Sequence, residues 1–270
     1  MTTKTKDAVE RIVQLKDFRA RFLEAGQGTP TISIHGVGFT SGAEGWLPSI
    51  RAGLASKLHI MALDNAGWGA ADRPTFEYSI SFFVDFVREL QDTFGYAKTN
   101  VIGHSLGGWI AATLAYESPE RINKLVLDDI AGMNAEPPAA VANFSMPNKE
   151  QVRQQIGNQF RPEDVEEQVE YAWRNVNTPN AEASYRQITH HLHDPAMRSR
   201  YHLGRRLPHI KVPTLVCWGE HGNAMFPQSM GRDIAARIPG AKFTVIPGGT
   251  HFVPQGKPVE FAAAVNAFLE

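Results

Sequence analysis

The stretch from Asn100 to Pro119 constrains this chain most. A short apolar run, Asn100-Val101-Ile102, reads as a strand. It leads into Gly103-His104-Ser105-Leu106-Gly107, and Leu106 to Tyr116 reads as a helix stopped by Ser118-Pro119. A strand that turns straight into a helix around one serine needs small neighbours, and Gly103, Gly107 and Gly108 supply them. The turn lifts the serine Oγ above the sheet. It also sets the Leu106 N–H at a helix start, where donors are unpaired and the dipole favours negative charge.

The rest of the chain repeats the same alternation. Residues 10–26 read as a strand hairpin with a turn near Lys16-Asp17. Thr31–Ile34 and Leu58–Leu63 read as strands. Ser79 to Phe94 carries Phe82, Phe83, Phe86, Val87, Leu90 and Phe94 at helical spacing, and Lys124–Leu127 is again a strand. After a long gap come a strand over Val212–Trp218, a helix over Pro227–Arg237, a strand over Lys242–Ile246 and a helix over Val259–Leu269. The expected fold is α/β: a mostly parallel eight-stranded sheet with helices on both faces. From Ala131 to about His209 no strand is legible, and the stretch is too long for a loop. It reads as a helical cap inserted after the sixth strand. The expected division is a core of residues 1–131 and 210–270 and a cap of residues 132–209.

Charge and cysteine content exclude several classes. A net charge of -1 over 270 residues argues against nucleic acid or an anionic membrane as partner. Cys217 is the single cysteine, so no disulfide forms within the chain and no thiolate metal cluster is available. It lies in the apolar run Thr214–Trp218 and reads as a buried core thiol. The N-terminal segment MTTKTKDAVERIVQLKD lacks an apolar stretch of signal-peptide length, and no run approaches a membrane span. The expectation is a cytoplasmic protein with a small-molecule substrate; a homodimer is left open. The glycines after Asp64 lack a phosphate-loop pattern, so no cofactor and no metal are expected. Asp64 itself ends a strand and is expected to fix the following turn.

Three segments carry chemistry. Ser105 sits at the sharp turn. His251, in Gly248-Gly249-Thr250-His251-Phe252, follows the last strand and precedes the last helix, a place suited to a base that takes and returns a serine proton. His35-Gly36-Val37-Gly38 follows a strand, and its Val37 N–H is expected to complete an oxyanion hole with the Leu106 N–H. His190, His191 and His193 read as a solvated helix face rather than a metal site.

With these residues in place, the chain resembles the α/β-hydrolase fold superfamily over nearly its whole length. The landmarks are His35-Gly36, Asp64-Asn65-Ala66-Gly67-Trp68-Gly69, the turn at Ser105, Ser118-Pro119-Glu120-Arg121-Ile122 and the His251 loop. The resemblance implies a Ser–His–acid triad and a cap over the site. One place departs from it. The family acid usually follows the strand in a pattern like W-G-x-x-D, whereas this chain reads Trp218-Gly219-Glu220-His221-Gly222-Asn223. Some members carry the acid one strand earlier, which points here to Asp128-Asp129. Strand alternation sends these two side chains to opposite faces. Asp129 is the expected acid, with Asp128, Glu220 and a dyad without acid as alternatives.

A serine nucleophile argues against the dehalogenase and epoxide hydrolase branches, which use aspartate at the turn. The expected reaction is hydrolysis of a small carboxylic ester or lactone. Alternatives are carbon–carbon cleavage of a meta-ring-cleavage product, amide hydrolysis, ligand binding without turnover, and cofactor-independent oxygenation. His35, Gly36, Trp109 and Trp173 are expected to contact a partly apolar or aromatic substrate. Met133, Phe144, Met146, Phe160, Tyr171, Tyr185, Phe39 and Trp46 are further pocket candidates. Arg153, Arg174 and Arg186 are candidates to hold a carboxylate.

Overall fold

The computed structural model describes residues 7–75, 77–134 and 145–270; the candidate Phe144 lies outside them. The strands are β1 (Val9–Gln14), β2 (Arg19–Ala25), β3 (Thr29–Ile34), β4 (Leu58–Leu63), β5 (Thr99–His104), β6 (Ile122–Asp128), β7 (Thr214–Gly219) and β8 (Lys242–Ile246). They form one sheet in the order β1-β2-β4-β3-β5-β6-β7-β8. β2 runs antiparallel to both its neighbours, β1 and β4, and every other pairing is parallel. The β1–β2 hairpin closes where the Leu15 N–H donates to the Phe18 carbonyl at 2.9 Å.

Alternation along the strands feeds two cores. Phe22, Ile32, Val101, Leu125 and Val216 point to one face, where α1 (Ile80–Thr93), α2 (Leu106–Glu117) and α7 (Gln228–Arg237) cover them. Leu23, Ile60, Ile102, Val126 and Leu215 point to the other, against short helical turns over residues 43–54 and α8 (Pro258–Leu269). α2 is buried almost all round, which suits a helix that leaves the centre of a sheet. Each fully buried Leu, Ile or Phe in these layers contributes roughly 1.5–3 kcal/mol. Cys217 is fully buried on β7, and burial pushes its thiol pKa up.

Among the described residues no strand interrupts the segment between β6 and β7. It forms α3 (Lys149–Gly157), α4 (Val165–Val176), α5 (Ala181–His193) and α6 (Pro195–Tyr201). α3 starts on a reciprocal cap: Asn148 accepts from the Gln151 N–H, and Gln151 accepts from the Asn148 N–H, both at 2.9 Å. α3 and α4 share an apolar cluster of Val152, Ile156, Val169, Ala172 and Val176. Ile188, Leu192, Met197 and Tyr201 of α5 and α6 instead join the core over the sheet.

A buried charge network anchors the sheet end below these helices. The Arg21 guanidinium donates to Glu10 at 2.9 Å, Glu44 at 2.8 Å and Asp64 at 3.0 Å. Burial works against its charge, but the Asp64, Glu44 and Glu10 carboxylates outweigh it and hold the pKa above its ordinary value. Asp64 also accepts from the Ala43 N–H at 2.7 Å and the Ala70 N–H at 2.9 Å, so it fixes the turns on both sides of the network. Among the described residues no helix is long and apolar enough to cross a membrane.

Candidate active site

The C-terminal ends of β3, β5, β6 and β8 converge on one cavity, as expected for an open parallel sheet. Ser105 stands between β5 and α2 with φ 53° and ψ -115°, a backbone conformation that L side chains rarely adopt. The surrounding hydrogen bonds hold it there. The Ser105 N–H donates to the Asp128 carbonyl at 3.0 Å, and the Ser105 carbonyl accepts from the Ala131 N–H at 3.0 Å and the Gly108 N–H at 3.1 Å. The glycines are sterically required. A Cβ on Gly107 would lie 2.1 Å from the Ile34 carbonyl oxygen, and one on Gly103 would lie 2.4 Å from that of Gly107. A Cβ on Gly36 would lie 2.8 Å from the Ser105 Cβ, so the loop after β3 approaches the serine as closely as backbone can.

His251 Nε2 lies 3.2 Å from Ser105 Oγ. Phe226 stacks on the imidazole at 4.0 Å between centroids and 14° between planes, which fixes the ring's tilt. Nδ1 faces Asp129 Oδ1 at 3.6 Å, longer than a hydrogen bond but close enough for strong charge attraction. The other Asp129 oxygen accepts from the Gly219 N–H at 2.9 Å. Burial lowers the His251 pKa below the ordinary 6.5, and the Asp129 carboxylate opposes that shift. A neutral imidazole this close to a hydroxyl can accept its proton and return it.

The other acid candidates are placed elsewhere. Glu220 accepts from the Gly248 N–H at 2.8 Å and so braces the loop that carries His251. Gly222 stands where the family carries aspartate, and a Cβ there would lie 2.4 Å from the Phe226 carbonyl oxygen. Asp128 pairs with a different histidine: its Oδ2 lies 2.7 Å from His104 Nδ1. Asp128 and Asp129 do not diverge to opposite faces as strand alternation suggests. β6 ends at Asp128, and Asp129 enters the left-handed region at φ 42°, which re-aims its carboxylate toward His251. Two adjacent aspartates therefore serve two histidines, whose rings lie 4.9 Å apart.

The cavity has a volume of about 280 Å³ and is lined by His35, Gly36, Val37, Ser105, Leu106, Trp109 and His251, among others. His35 has no free nitrogen for a ligand: Nδ1 donates to the Gly36 carbonyl at 2.8 Å, and Nε2 accepts from the Asn65 N–H at 3.0 Å. Met133 and Phe160 line the cavity, while Trp173 packs against the α3–α4 cluster instead. Trp46 is buried in the core beneath the sheet. The arginine candidates are held in ion pairs: Arg153 with Glu166, Arg174 with Glu44, and Arg186 with Glu182 at 2.9 Å. His191 pairs with Glu77 at 3.0 Å, and His193 turns into the cavity wall. Sequence reading missed Met225, Phe226 and Arg198. Arg198 is buried beside the cavity, donates to the Leu192 and Asn134 carbonyls at 3.0 and 2.7 Å, and lies over the Trp109 ring.

This geometry agrees with the comparisons to known proteins. Residues 32–264 match the model of the alpha/beta hydrolase family. The chain belongs to that family and is an α/β-fold hydrolase. It is 23% identical over 273 residues to an uncharacterized protein of Mycobacterium tuberculosis, covering 94% of this chain and 79% of the relative. It is 27% identical over 254 residues to the 2-hydroxy-6-oxo-6-phenylhexa-2,4-dienoate hydrolase of Burkholderia cepacia, covering 88% and 86% of the two chains. In fold it is similar to the crystal structure of a serine hydrolase involved in carbazole degradation, with a TM-score of 0.82, 23% identity and coverage of 97% and 98%.

Proposed function

We propose that this chain hydrolyses a small carboxylic ester or lactone through an acyl-enzyme on Ser105. The observation that carries the reading is His251 Nε2 at 3.2 Å from the Oγ of a serine held at φ 53° in the cavity wall. His251 takes the Ser105 proton as Oγ attacks the acyl carbon, then gives it to the leaving oxygen. Water repeats the sequence on the acyl-enzyme. Asp129 holds the imidazole with its proton on Nδ1 and balances the imidazolium charge. The Val37 and Leu106 N–H groups receive the oxyanion; loss of one such donor typically costs about 2.7–4 kcal/mol of transition-state stabilisation.

The described lining suits a partly apolar or aromatic acyl group. Trp109, Met133, Phe160, Met225 and Phe226 supply apolar and polarisable surface, and Arg198 adds a cationic side chain. Residues 132–209, which supply several of these groups, act as the cap. A second reading, hydrolysis of a carbon–carbon bond in a ring-cleavage product, draws on the dienoate hydrolase relative at 27% identity across most of both chains. A panel of p-nitrophenyl acetate, aryl lactones and a coloured 2-hydroxy-6-oxo-dienoate separates the two. Turnover of the esters and lactones supports the first, and bleaching of the dienoate with a kcat/KM above theirs replaces it with the second. Turnover of none overturns both.

The acid limb of the rate profile follows from His251. Only the neutral ring accepts the serine proton, so activity is lost as pH falls through its pKa. Burial lowers that pKa, so kcat/KM should fall with a midpoint below the ordinary 6.5. A midpoint at or above 6.5 contradicts this placement of the base.

A further inference from the structure

The hydrolysis proposed above needs one proton carrier, yet the cavity holds two carboxyl–imidazole pairs. The second is Asp128 and His104. Its hydrogen bond spans 2.7 Å, Asp128 is fully buried, and His104 is 4% exposed and lines the cavity. Asp128 holds Nδ1, so Nε2 is the ring nitrogen left to meet a substrate. The Cδ2 beside that nitrogen would stand 3.3 Å from a Cβ on Gly36, on the same loop as Val37. The pair therefore sits next to the reacting centre, with the His104 and His251 rings 4.9 Å apart.

We propose that Asp128 and His104 form a second proton-transfer pair. It serves a substrate oxygen other than the attacked carbonyl, as in an acyl compound with an enol or oxo group near the cleaved bond. This inference rests on the hydrolase reading of the cavity. The Asp128 O–H passes its proton to His104 Nδ1 while His104 Nε2–H passes its proton to the substrate oxygen. The ring stays neutral, with its proton now on Nδ1, and the carboxyl becomes a carboxylate. After product leaves, water returns a proton to Nε2, and the Nδ1 proton goes back to Asp128.

The surroundings favour this neutral-ring route. The groups facing the pair are Asp129 beyond β6, Cys217 on β7, His251 after β8 and His35 at the end of β3. Burial and the neighbouring Asp129 charge push the Asp128 pKa well above the ordinary carboxylate value. Burial holds His104 down to about 4, so an imidazolium is disfavoured. A positive charge on His251 favours the Asp128 carboxylate. Proton release from the second pair is thereby tied to the moment when His251 holds the serine proton.

The ring tautomer tests the pair independently of any substrate. In 15N-histidine-labelled protein, with His104 assigned by its loss in His104→Gln, the ring should be neutral just above a pH of about 4 and carry its proton on Nε2. It should switch to Nδ1 as Asp128 ionises, with no imidazolium between. A single tautomer at every pH above about 4, or an imidazolium in that range, overturns the proposal. Asp128→Asn then tests the chemistry. The amide still donates to Nδ1 and keeps Nε2–H, but it has no proton to release. Its kcat on the 2-hydroxy-6-oxo-dienoate should fall about 100-fold further than its kcat on p-nitrophenyl acetate. Equal falls on both substrates overturn the relay and leave a positioning role. Failure of the wild type on both substrates counts against the hydrolase reading, while the tautomer result still decides the pair.

Discussion

Ser105→Ala should lower kcat by about 10⁶ on any acyl substrate the wild type turns over, with the fold intact. The substitution removes one oxygen and leaves the backbone problem unchanged, because alanine meets the same strain at φ 53° that serine does. The hydrogen bonds that hold the turn are all backbone bonds from Ser105 to Asp128, Gly108 and Ala131, and they survive. Loss of activity with an unchanged thermal midpoint therefore reports on Oγ alone. A variant that keeps a tenth or more of the wild-type rate would show that the cleavage does not pass through an acyl-serine.

The second large effect is expected at Asp129. Asp129→Asn should cost about 10⁴ in kcat, with the local geometry retained. The Gly219 N–H needs an acceptor at 2.9 Å, and the amide oxygen takes that place. The amide NH₂ then faces His251 Nδ1 and holds a lone pair there, which puts the ring proton on Nε2. A histidine in that tautomer cannot take the serine proton. Glu220→Gln, by contrast, alters an exposed side chain that braces Gly248 and should stay within about threefold of wild type. A kcat comparison of the two variants on one aryl ester checks both expectations. Reversed losses would move the acid to Glu220.

The sheet was legible because most of its strands are short apolar runs, and Ile80–Thr93 between two of them keeps a clear helical period. The turns over residues 43–54 were not, since Pro48 and Gly53 break any helical pattern there. Ser105 and His251 were legible because strand–turn–helix and strand–loop–helix contexts surround them. The candidacy of Asp129 rested on the missing aspartate at 222 and on the position after β6, and its carboxylate lies 3.6 Å from His251 Nδ1. Strand alternation does not extend to Asp129, because it stops once the backbone enters the left-handed region at φ 42°. The cavity wall was the least legible part. Arg198 stands beside Arg200, Arg205 and Arg206 in the sequence, and only tertiary packing buries it over Trp109. Trp173 carries the aromatic signal expected of a pocket residue, yet its helix face belongs to the α3–α4 cluster. Phe226 is aimed by Asn223, whose side chain accepts from the Met225 and Phe226 N–H groups at 2.9 Å and folds the loop onto His251.

The central claim is that Ser105 is an activated nucleophile. Incubation with a fluorophosphonate probe, followed by mass spectrometry of the labelled peptide, tests it without knowledge of the substrate. The expected result is one adduct per chain, located on Ser105, absent from Ser105→Ala and strongly slowed in Asp129→Asn. Folded protein that takes up no probe, or takes it up on another residue, would contradict the account.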